Sequence, residues 1–344
     1  MMRTVLLGDV IELAYGKSLP QRSRVSGRFP VFGSNGQVDT HNKSLVGGPG
    51  IIVGRKGSVG EVIWSKQDFW PIDTTYYVRL KNPDDDLRYW YYVLKTLGLN
   101  KLNSHSAIPG LNRDVAYIKQ VPLRSTLEQE KIANILGSLD EKIELNRRMN
   151  ETLEQLGQAL FRYYFVDNPE AKNWKKRSLG EFFPVKTGKK DANFSTKDGK
   201  FPFFTCAQTI SRAPSYSFDG SAILVAGNGD FNIKYYTGRF EAYQRTYVLI
   251  PHHEELLGFL YFLMKKDLSL ITGGSRGSVI KFITKGMIEN YRVELPDDND
   301  LAAFAPIFSE LLYLISHNNE QIQTLVALRD SLLPQLMTGK VEVK

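Results

Sequence analysis

Gly27-Arg28-Phe29-Pro30 returns 172 residues later as Gly199-Lys200-Phe201-Pro202. The same offset takes Leu7-Gly8-Asp9 to Leu179-Gly180-Glu181 and Gly16-Lys17 to Gly188-Lys189. It persists from Val53 to Val225, Gly57 to Gly229, Ser106 to Ser278, Ile108 to Ile280 and Val121 to Val293. Short gaps are needed in places, for instance around Tyr77 and Tyr247. The offset is half of the 344 residues, so the chain reads as a tandem repeat of two units.

Each unit opens with about 125 residues of short apolar runs broken by Gly, Pro and Asn. Gly50-Ile51-Ile52-Val53-Gly54, Tyr76-Tyr77-Val78-Arg79-Leu80 and Ala222-Ile223-Leu224-Val225 read as strands. Ser34-Asn35-Gly36 reads as a hairpin turn. A helix is expected after Asp84-Asp85-Asp86, over Leu87 to Leu97, with a counterpart near Glu254 to Lys266. The expected fold class is α+β, with two globular β-rich blocks.

Each unit closes with a long helix. Ser125-Thr126-Leu127-Glu128 has the Ser-x-x-Glu form of a capping box, and no proline follows until Pro169. The apolar stripe Leu136, Leu139, Ile143, Leu153 and Leu160 is spaced by threes and fours, with Asn146 and Asn150 interposed. The second copy runs Phe304, Phe308, Leu311, Ile315, Asn318, Ile322, Leu325 and Leu332. Pro306 predicts a later start for this helix, since proline fits the first turn best. Stripes of this length are most simply buried against each other, as a two-helix coiled coil. Asn146 and Asn318 either fix its register or face solvent. The expected boundaries are 1–125, 126–166, 167–297 and 298–344.

The net charge of +7 is unevenly spread, at +7, −3, +6 and −3 over residues 1–125, 126–172, 173–297 and 298–344. Alone, this fits a polyanion partner or ordinary scatter. No run approaches the roughly 20 apolar residues of a membrane span. The acidic, short N-terminal stretch does not read as a signal peptide, and the single Cys206 excludes an internal disulfide framework. A cytoplasmic location is expected.

An antiparallel helix pair would relate the two blocks by an approximate twofold axis, as local symmetry relates the strands of duplex DNA. A helix over 126–164 would be roughly 58 Å long, about 17 base pairs, and could act as a ruler. The two copies differ where loops are expected. Gly54-Arg55-Lys56-Gly57-Ser58-Val59-Gly60 corresponds to Ala226-Gly227-Asn228-Gly229-Asp230-Phe231-Asn232, and Ser104-His105-Ser106 to Arg276-Gly277-Ser278. Different side chains at equivalent loops imply two different half-sites. Candidate DNA contacts are Arg55, Lys56, Ser58, His105, Ser106 and Arg113 in the first copy. In the second they are Asn228, Asp230, Asn232, Arg245, Arg276, Ser278 and Lys281. These residue types contact base edges and phosphates.

Val121-Pro122-Leu123 through Leu127-Glu128-Gln129-Glu130-Lys131-Ile132-Ala133 resembles the opening of the first conserved region of type I restriction–modification specificity subunits. Gln158-Ala159-Leu160-Phe161-Arg162-Tyr163-Tyr164-Phe165-Val166-Asp167 resembles its close, and Leu328-Arg329-Asp330-Ser331-Leu332-Leu333-Pro334-Gln335-Leu336-Met337-Thr338-Gly339 the family's closing motif. Asp300-Leu301-Ala302-Ala303 departs from the pattern at the start of the second helix. The resemblance implies two target recognition domains and two antiparallel helices that set the spacer. It implies double-stranded DNA as a partner, with two modification (methyltransferase) subunits acting on adenine N6 and with restriction (translocase/endonuclease) subunits. No cofactor is expected on this chain. S-adenosylmethionine, ATP and Mg would belong to the partner subunits, and no membrane partner is expected.

Enzymatic readings find little support in the sequence. No Asn-Pro-Pro-Tyr motif or glycine-rich cofactor loop occurs. Gly16-Lys17-Ser18 is not a P-loop because Ile11 stands where the first glycine should be, and Gly188-Lys189-Lys190 lacks the Ser/Thr. Pro296-Asp297 with Glu342-Val343-Lys344 gives only a crude nuclease-like carboxylate set, and His252-His253 reads as a solvated pair. The chain is therefore expected to be non-catalytic. A coiled-coil scaffold for proteins and an unrecognised metal-dependent nuclease remain as alternatives.

Overall fold

The computed structural model describes residues 3–102, 110–273 and 282–343. The chain divides into two compact units, residues 1–145 with 322–344 and residues 146–321. The cuts fall inside two long helices, so each unit takes in one β-rich block and a portion of each helix. The two long helices start at Thr126 and Asp298. Packing crosses those points, because each helix begins by burying itself against its own block.

In the first unit, β1 (Arg3–Leu6) leads through the single turn α1 (Leu7–Val10) into β2 (Ile11–Tyr15). There follow β3 (Phe29–Gly33), β4 (Gly36–His41), β5 (Gly50–Gly54), β6 (Val62–Ser65), β7 (Trp70–Pro71) and β8 (Thr75–Leu80). Helix α2 (Leu87–Thr96), the short α3 (Arg113–Tyr117) and β9 (Gln120–Leu123) precede the first long helix, α4 (Thr126–Phe161). Strand order is β2-β8-β5-β6 in one sheet and β4-β3-β7 in another, while β1 pairs with β9. The β5 run is buried at every residue because it lies between β8 and β6. Gly36, at φ +126°, closes the expected β3–β4 hairpin. Asp86 caps α2 by accepting from the Tyr89 N–H at 2.7 Å.

The second unit repeats this plan with β10 (Lys175–Ser178), β11 (Val185–Thr187), β12 (Phe201–Phe204), β13 (Ser211–Ala213), β14 (Phe218–Ala226), β15 (Ile233–Ala242) and β16 (Thr246–Leu249). Helices α5 (Leu257–Ile271) and α6 (Lys285–Glu289), strand β17 (Arg292–Leu295) and the second long helix, α7 (Asp298–Thr338), complete it. Here one six-stranded sheet, β11-β16-β14-β15-β12-β13, replaces the two sheets of the first unit. The pairings are equivalent, including the parallel β3–β7 and β12–β15 contacts. Unbroken β15 does the work that β6 and β7 share. Two expectations are corrected. The α2 counterpart is a 3₁₀ turn over Glu254–Leu256 followed by α5, which runs on to Ile271. The repeat pairs Tyr247 with Tyr76 rather than Tyr77. Tyr76 lies opposite Tyr15 and its hydroxyl donates to the Leu111 carbonyl, while Tyr247 lies opposite Thr187 and donates to the Ile283 carbonyl.

Gly16 and Gly188 owe their recurrence to packing. A Cβ on Gly16 would lie 2.2 Å from the Ile72 carbonyl oxygen, and one on Gly188 would lie 2.0 Å from that of Ala242. The glycine beside Lys17 thus admits a close backbone crossing.

Helix α4 begins with the expected capping box. Ser125 N–H donates to Glu128 Oε2 at 3.1 Å, and Glu128 N–H to Ser125 Oγ at 3.4 Å. Gln129 is fully buried, accepts from Asp86 N–H at 2.9 Å and donates to Asp85 and to the Arg124 carbonyl, each at 3.0 Å. Its counterpart 172 residues on is Leu301, buried in the apolar core of the second unit. That explains the departure at Asp300-Leu301-Ala302-Ala303: an apolar plug stands where the first copy has a polar lock. The late start expected for α7 is also corrected. It begins at Asp298, where Asp297 Oδ1 accepts from Asp300 N–H at 3.0 Å, and it runs straight through Pro306. Pro306 and Ala302, whose carbonyl loses its usual donor, both lie on the exposed face, so water can satisfy that carbonyl.

Within each unit the helix portions run antiparallel. In the first, Arg124 donates to the Leu336 carbonyl at 3.1 Å, and Arg329 reaches Asp140 at 2.7 Å. In the second, Asn146 meets Gln321, and the Phe161 ring lies 5.9 Å from that of Phe308. Of the expected seam residues, Ile143, Asn146, Leu311, Ile315 and Asn318 are buried, whereas Leu139, Leu153, Leu160, Leu325 and Leu332 are half-buried. Ile132, Leu136, Phe161 and Phe308 carry more of the burial. Each contributes roughly 1.5–3 kcal/mol relative to exposure. The stripe is therefore wider than a two-helix seam, because it also covers α2 in one unit and α5 in the other. No helix among the described residues is long and apolar enough to cross a membrane.

Candidate nucleic-acid interface

In the first unit β2 ends on Tyr15, which is 51% exposed and lies 5.1 Å from Tyr76 between ring centroids. Two guanidinium groups sit against the Tyr15 ring, Arg55 at 5.3 Å and Arg113 at 5.0 Å. Each arrives by a short, fixed route. Arg55 and Lys56 both donate their backbone N–H to the Thr74 carbonyl, at 2.9 and 3.1 Å. The Arg55 side chain donates to the Asp73 carbonyl from Nε at 3.1 Å and from Nη2 at 2.5 Å. Leu111 N–H donates to the Arg55 carbonyl at 2.9 Å, and Asn112 caps α3, which carries Arg113 in its first turn. Burial, then the neighbouring Tyr15, push the Tyr76 hydroxyl up to about 12, against the pull of Arg55 and Arg113. It stays a neutral donor.

The loop carrying Arg55, Lys56 and Ser58 is tight. Gly57 takes φ +78°, and a Cβ on Gly54 would lie 2.0 Å from the Ser58 carbonyl oxygen. Lys56 and Ser58 are exposed and Arg55 is half-buried.

The equivalent loop of the second unit is built from amides and a carboxylate. Gly229 takes φ +72°, as Gly57 does. Asp230 accepts from Gln208 at 2.9 Å. Asn232 is buried, and its Nδ2 donates to the carbonyls of Cys206 and Asp230, at 2.9 and 2.7 Å. Lys234 donates to Asn232 Oδ1 and, at 2.8 Å, to the Ala207 carbonyl. Burial lowers the Lys234 pKa, opposed by Cys206 and Asp230. Arg245 is exposed on the turn between β15 and β16, and its carbonyl accepts from Gly227 N–H at 2.8 Å. Asn228 is half-buried and bridges to Phe282.

Arg55, Lys56, Ser58 and Arg113 thus share one surface, and Asn228, Asp230, Asn232 and Arg245 share its counterpart. Asn232 is placed as a brace of its loop. His105, Ser106, Arg276, Ser278 and Lys281 lie outside the described residues. Tyr15, Gln208 and Lys234 were missed from sequence. The one signal the sequence offers is that Tyr15 precedes the recurring Gly16-Lys17.

Helix α4 is braced to the block of each unit. In the first unit Tyr92 donates to Asp140 at 2.6 Å and Arg88 to Glu141 at 2.6 Å. In the second, Tyr261 and Lys265 donate to Glu154 at 2.7 and 2.5 Å. Burial, reinforced by Asp140 and Glu154, drives the Tyr92 and Tyr261 hydroxyls far above their ordinary range. Asp297 serves as a helix cap, His253 pairs with Glu255 at the surface, and Cys206 Sγ lies 3.4 Å from the Arg245 carbonyl. Among the described residues no group of three His, Cys, Asp or Glu is placed to hold a metal ion.

Known proteins share this fold. The chain is 43% identical to the EcoDI type I restriction enzyme specificity subunit of Escherichia coli over 173 residues, 49% of this chain and 39% of that one. It is 24% identical to the MjaIX specificity subunit of Methanocaldococcus jannaschii over 341 residues, covering 86% of this chain and 78% of that one. The fold matches the crystal structure of the type I restriction-modification S subunit from M. genitalium at a TM-score of 0.67, with 20% identity over 98% of this chain and 96% of that one. The type I restriction modification DNA specificity domain model matches twice, over residues 2–155 and 171–326, and the chain belongs to that family.

Proposed function

We propose that this chain is the DNA-recognition subunit of a type I restriction–modification complex, and that each unit reads one half of a bipartite, asymmetric site. One observation carries the reading. The two units share a backbone plan, yet equivalent exposed loops present Arg55, Lys56 and Ser58 in one and Asn228 and Asp230 in the other. A duplicated scaffold with divergent polar loops suits two different half-sites. Helix α4 has 36 residues, a length of about 54 Å, and in this reading it serves as the spacer. Leu145, Met149 and Leu156 are exposed along it at helical spacing, an apolar face suited to docking a modification subunit.

Methyl transfer and cleavage belong, in this reading, to modification and restriction subunits that hold S-adenosylmethionine and ATP with Mg, in the cytoplasm. The test is co-expression with a modification subunit in a methylation-free host, followed by genome-wide mapping of modified adenines. A new two-part motif with one modified adenine in each half is expected. Verified co-purification with no motif would sink the reading.

A further inference from the structure

We propose that Arg55 reads a guanine in the half-site bound by the first unit, presenting a guanidinium edge that Asp73, Thr74 and Tyr15 hold in place. This rests on the DNA-recognition reading above and adds a residue and a base to it.

A phosphate contact needs only a positive charge that can follow the backbone. A base contact needs a planar fork at a fixed angle. Arg55 is held as a fork. Its backbone N–H is tied to the Thr74 carbonyl at 2.9 Å, and its Nε and Nη2 edge is spent on the Asp73 carbonyl at 3.1 and 2.5 Å. The guanidinium lies 5.3 Å from the Tyr15 ring and 6.0 Å from that of Tyr76. The remaining edge, Nη1 with the second proton of Nη2, is the pair of parallel donors that matches guanine O6 and N7. No other base presents two acceptors there. Arg113, 5.0 Å from the Tyr15 ring centroid, adds a second cation on one exposed aromatic ring. Two guanidiniums sharing one ring repel each other, and an acceptor-rich, negatively charged partner relieves that repulsion.

The second unit does not reproduce the device. The residues 172 positions on from Tyr15, Arg55 and Arg113 are Thr187, Gly227 and Lys285. The ring and the fork are both gone, and the neighbouring shelf of Gln208, Asp230 and Lys234 is a different recognition chemistry. Guanine reading by this route is therefore confined to one half of the site.

The experiment uses the full chain with its modification subunit and the motif found by methylation mapping. Competition binding is measured with duplexes in which each guanine in turn is replaced by 7-deazaguanine, which lacks N7. One guanine in one half should weaken wild-type binding by about tenfold or more. Arg55→Lys keeps the charge and loses the fork. It should bind the intact and the 7-deazaguanine duplexes equally and relax the methylated motif at that one position. Continued reading of the other half by the same variant reports an intact fold. If wild-type protein tolerates 7-deazaguanine at every position, or if Arg55→Lys keeps the same motif, Arg55 is a phosphate contact and the proposal is overturned with the recognition reading intact. Absence of any motif for the wild-type complex overturns both.

Discussion

Asn146 Nδ2 donates to Gln321 Oε1 at 3.0 Å across the helix pair, and Asn146 is fully buried there. Beside it Asn318 donates to Asn150 at 2.9 Å, and Asn150 to Asn319 at 2.9 Å. A ladder of amides thus crosses the helix pair, and Asn146 Oδ1 has no hydrogen-bond partner among the described residues. A buried amide with an unsatisfied carbonyl opposes folding, so its use lies in excluding other alignments. Asn146→Leu is expected to leave Tm unchanged or raised. The cost should appear as alternative pairings, read as additional oligomers by analytical ultracentrifugation. A clear drop in Tm with unchanged oligomeric state would contradict this.

Asp140 supports the opposite expectation. It accepts from Arg329 at 2.7 Å and from Tyr92 at 2.6 Å, and is about 25% exposed. Burial works against the Arg329 charge, but Asp140 and then Asp330 outweigh it and hold its pKa above the ordinary value. Asp140→Ala strands two donors at once, at a cost of about 1–3 kcal/mol. The midpoint of urea unfolding should fall accordingly, and Tyr92→Phe should lower it by less. Equal effects would mean that the ion pair contributes nothing beyond the tyrosine contact.

The repeat was legible because duplication preserves residues the backbone itself requires. Gly57 and Gly229 both take positive φ, and Gly16 and Gly188 both admit a crossing strand. The helix pairing followed from stripes too long to stay in water. The partner of Arg55 was not legible. Tyr15 lies 40 residues earlier, and the second copy has Thr187 there, so neither spacing nor repetition marks it. Pro306 misled because the cost of a helical proline depends on which face it occupies, and only packing decides that. Asn232 read as a base contact by residue type, yet its amide is spent on two carbonyls of its own shelf.

Gly16→Ala is expected to lower the thermal stability of the first unit by more than about 2 kcal/mol, since a Cβ 2.2 Å from a carbonyl oxygen forces the strands apart. Gly36→Ala meets nothing within 4 Å and should cost only the strain of its φ of +126°, about 1–3 kcal/mol. Differential scanning calorimetry of both variants ranks the two effects. A larger loss for Gly36→Ala would show that the crossing can relax.

Acid should weaken the start of α4 through Glu128. The Ser125 hydroxyl, then the Ser125 N–H, hold the Glu128 pKa below its ordinary value, as the Ser178 N–H chiefly does for Glu181. A lowered carboxylate pKa in the folded state means stability that is full above the unfolded value, about 4.3, and lost as pH falls through the folded one. The Glu128 side chain is 41% exposed, so screening limits the capping contribution to about 0.5–1 kcal/mol. Ser125→Ala removes the hydroxyl half of the box. Its Tm deficit against wild type should be largest near pH 6 and should shrink as pH falls below about 4. A deficit independent of pH would show that the hydroxyl acts on the helix N–H alone and not through the Glu128 carboxylate.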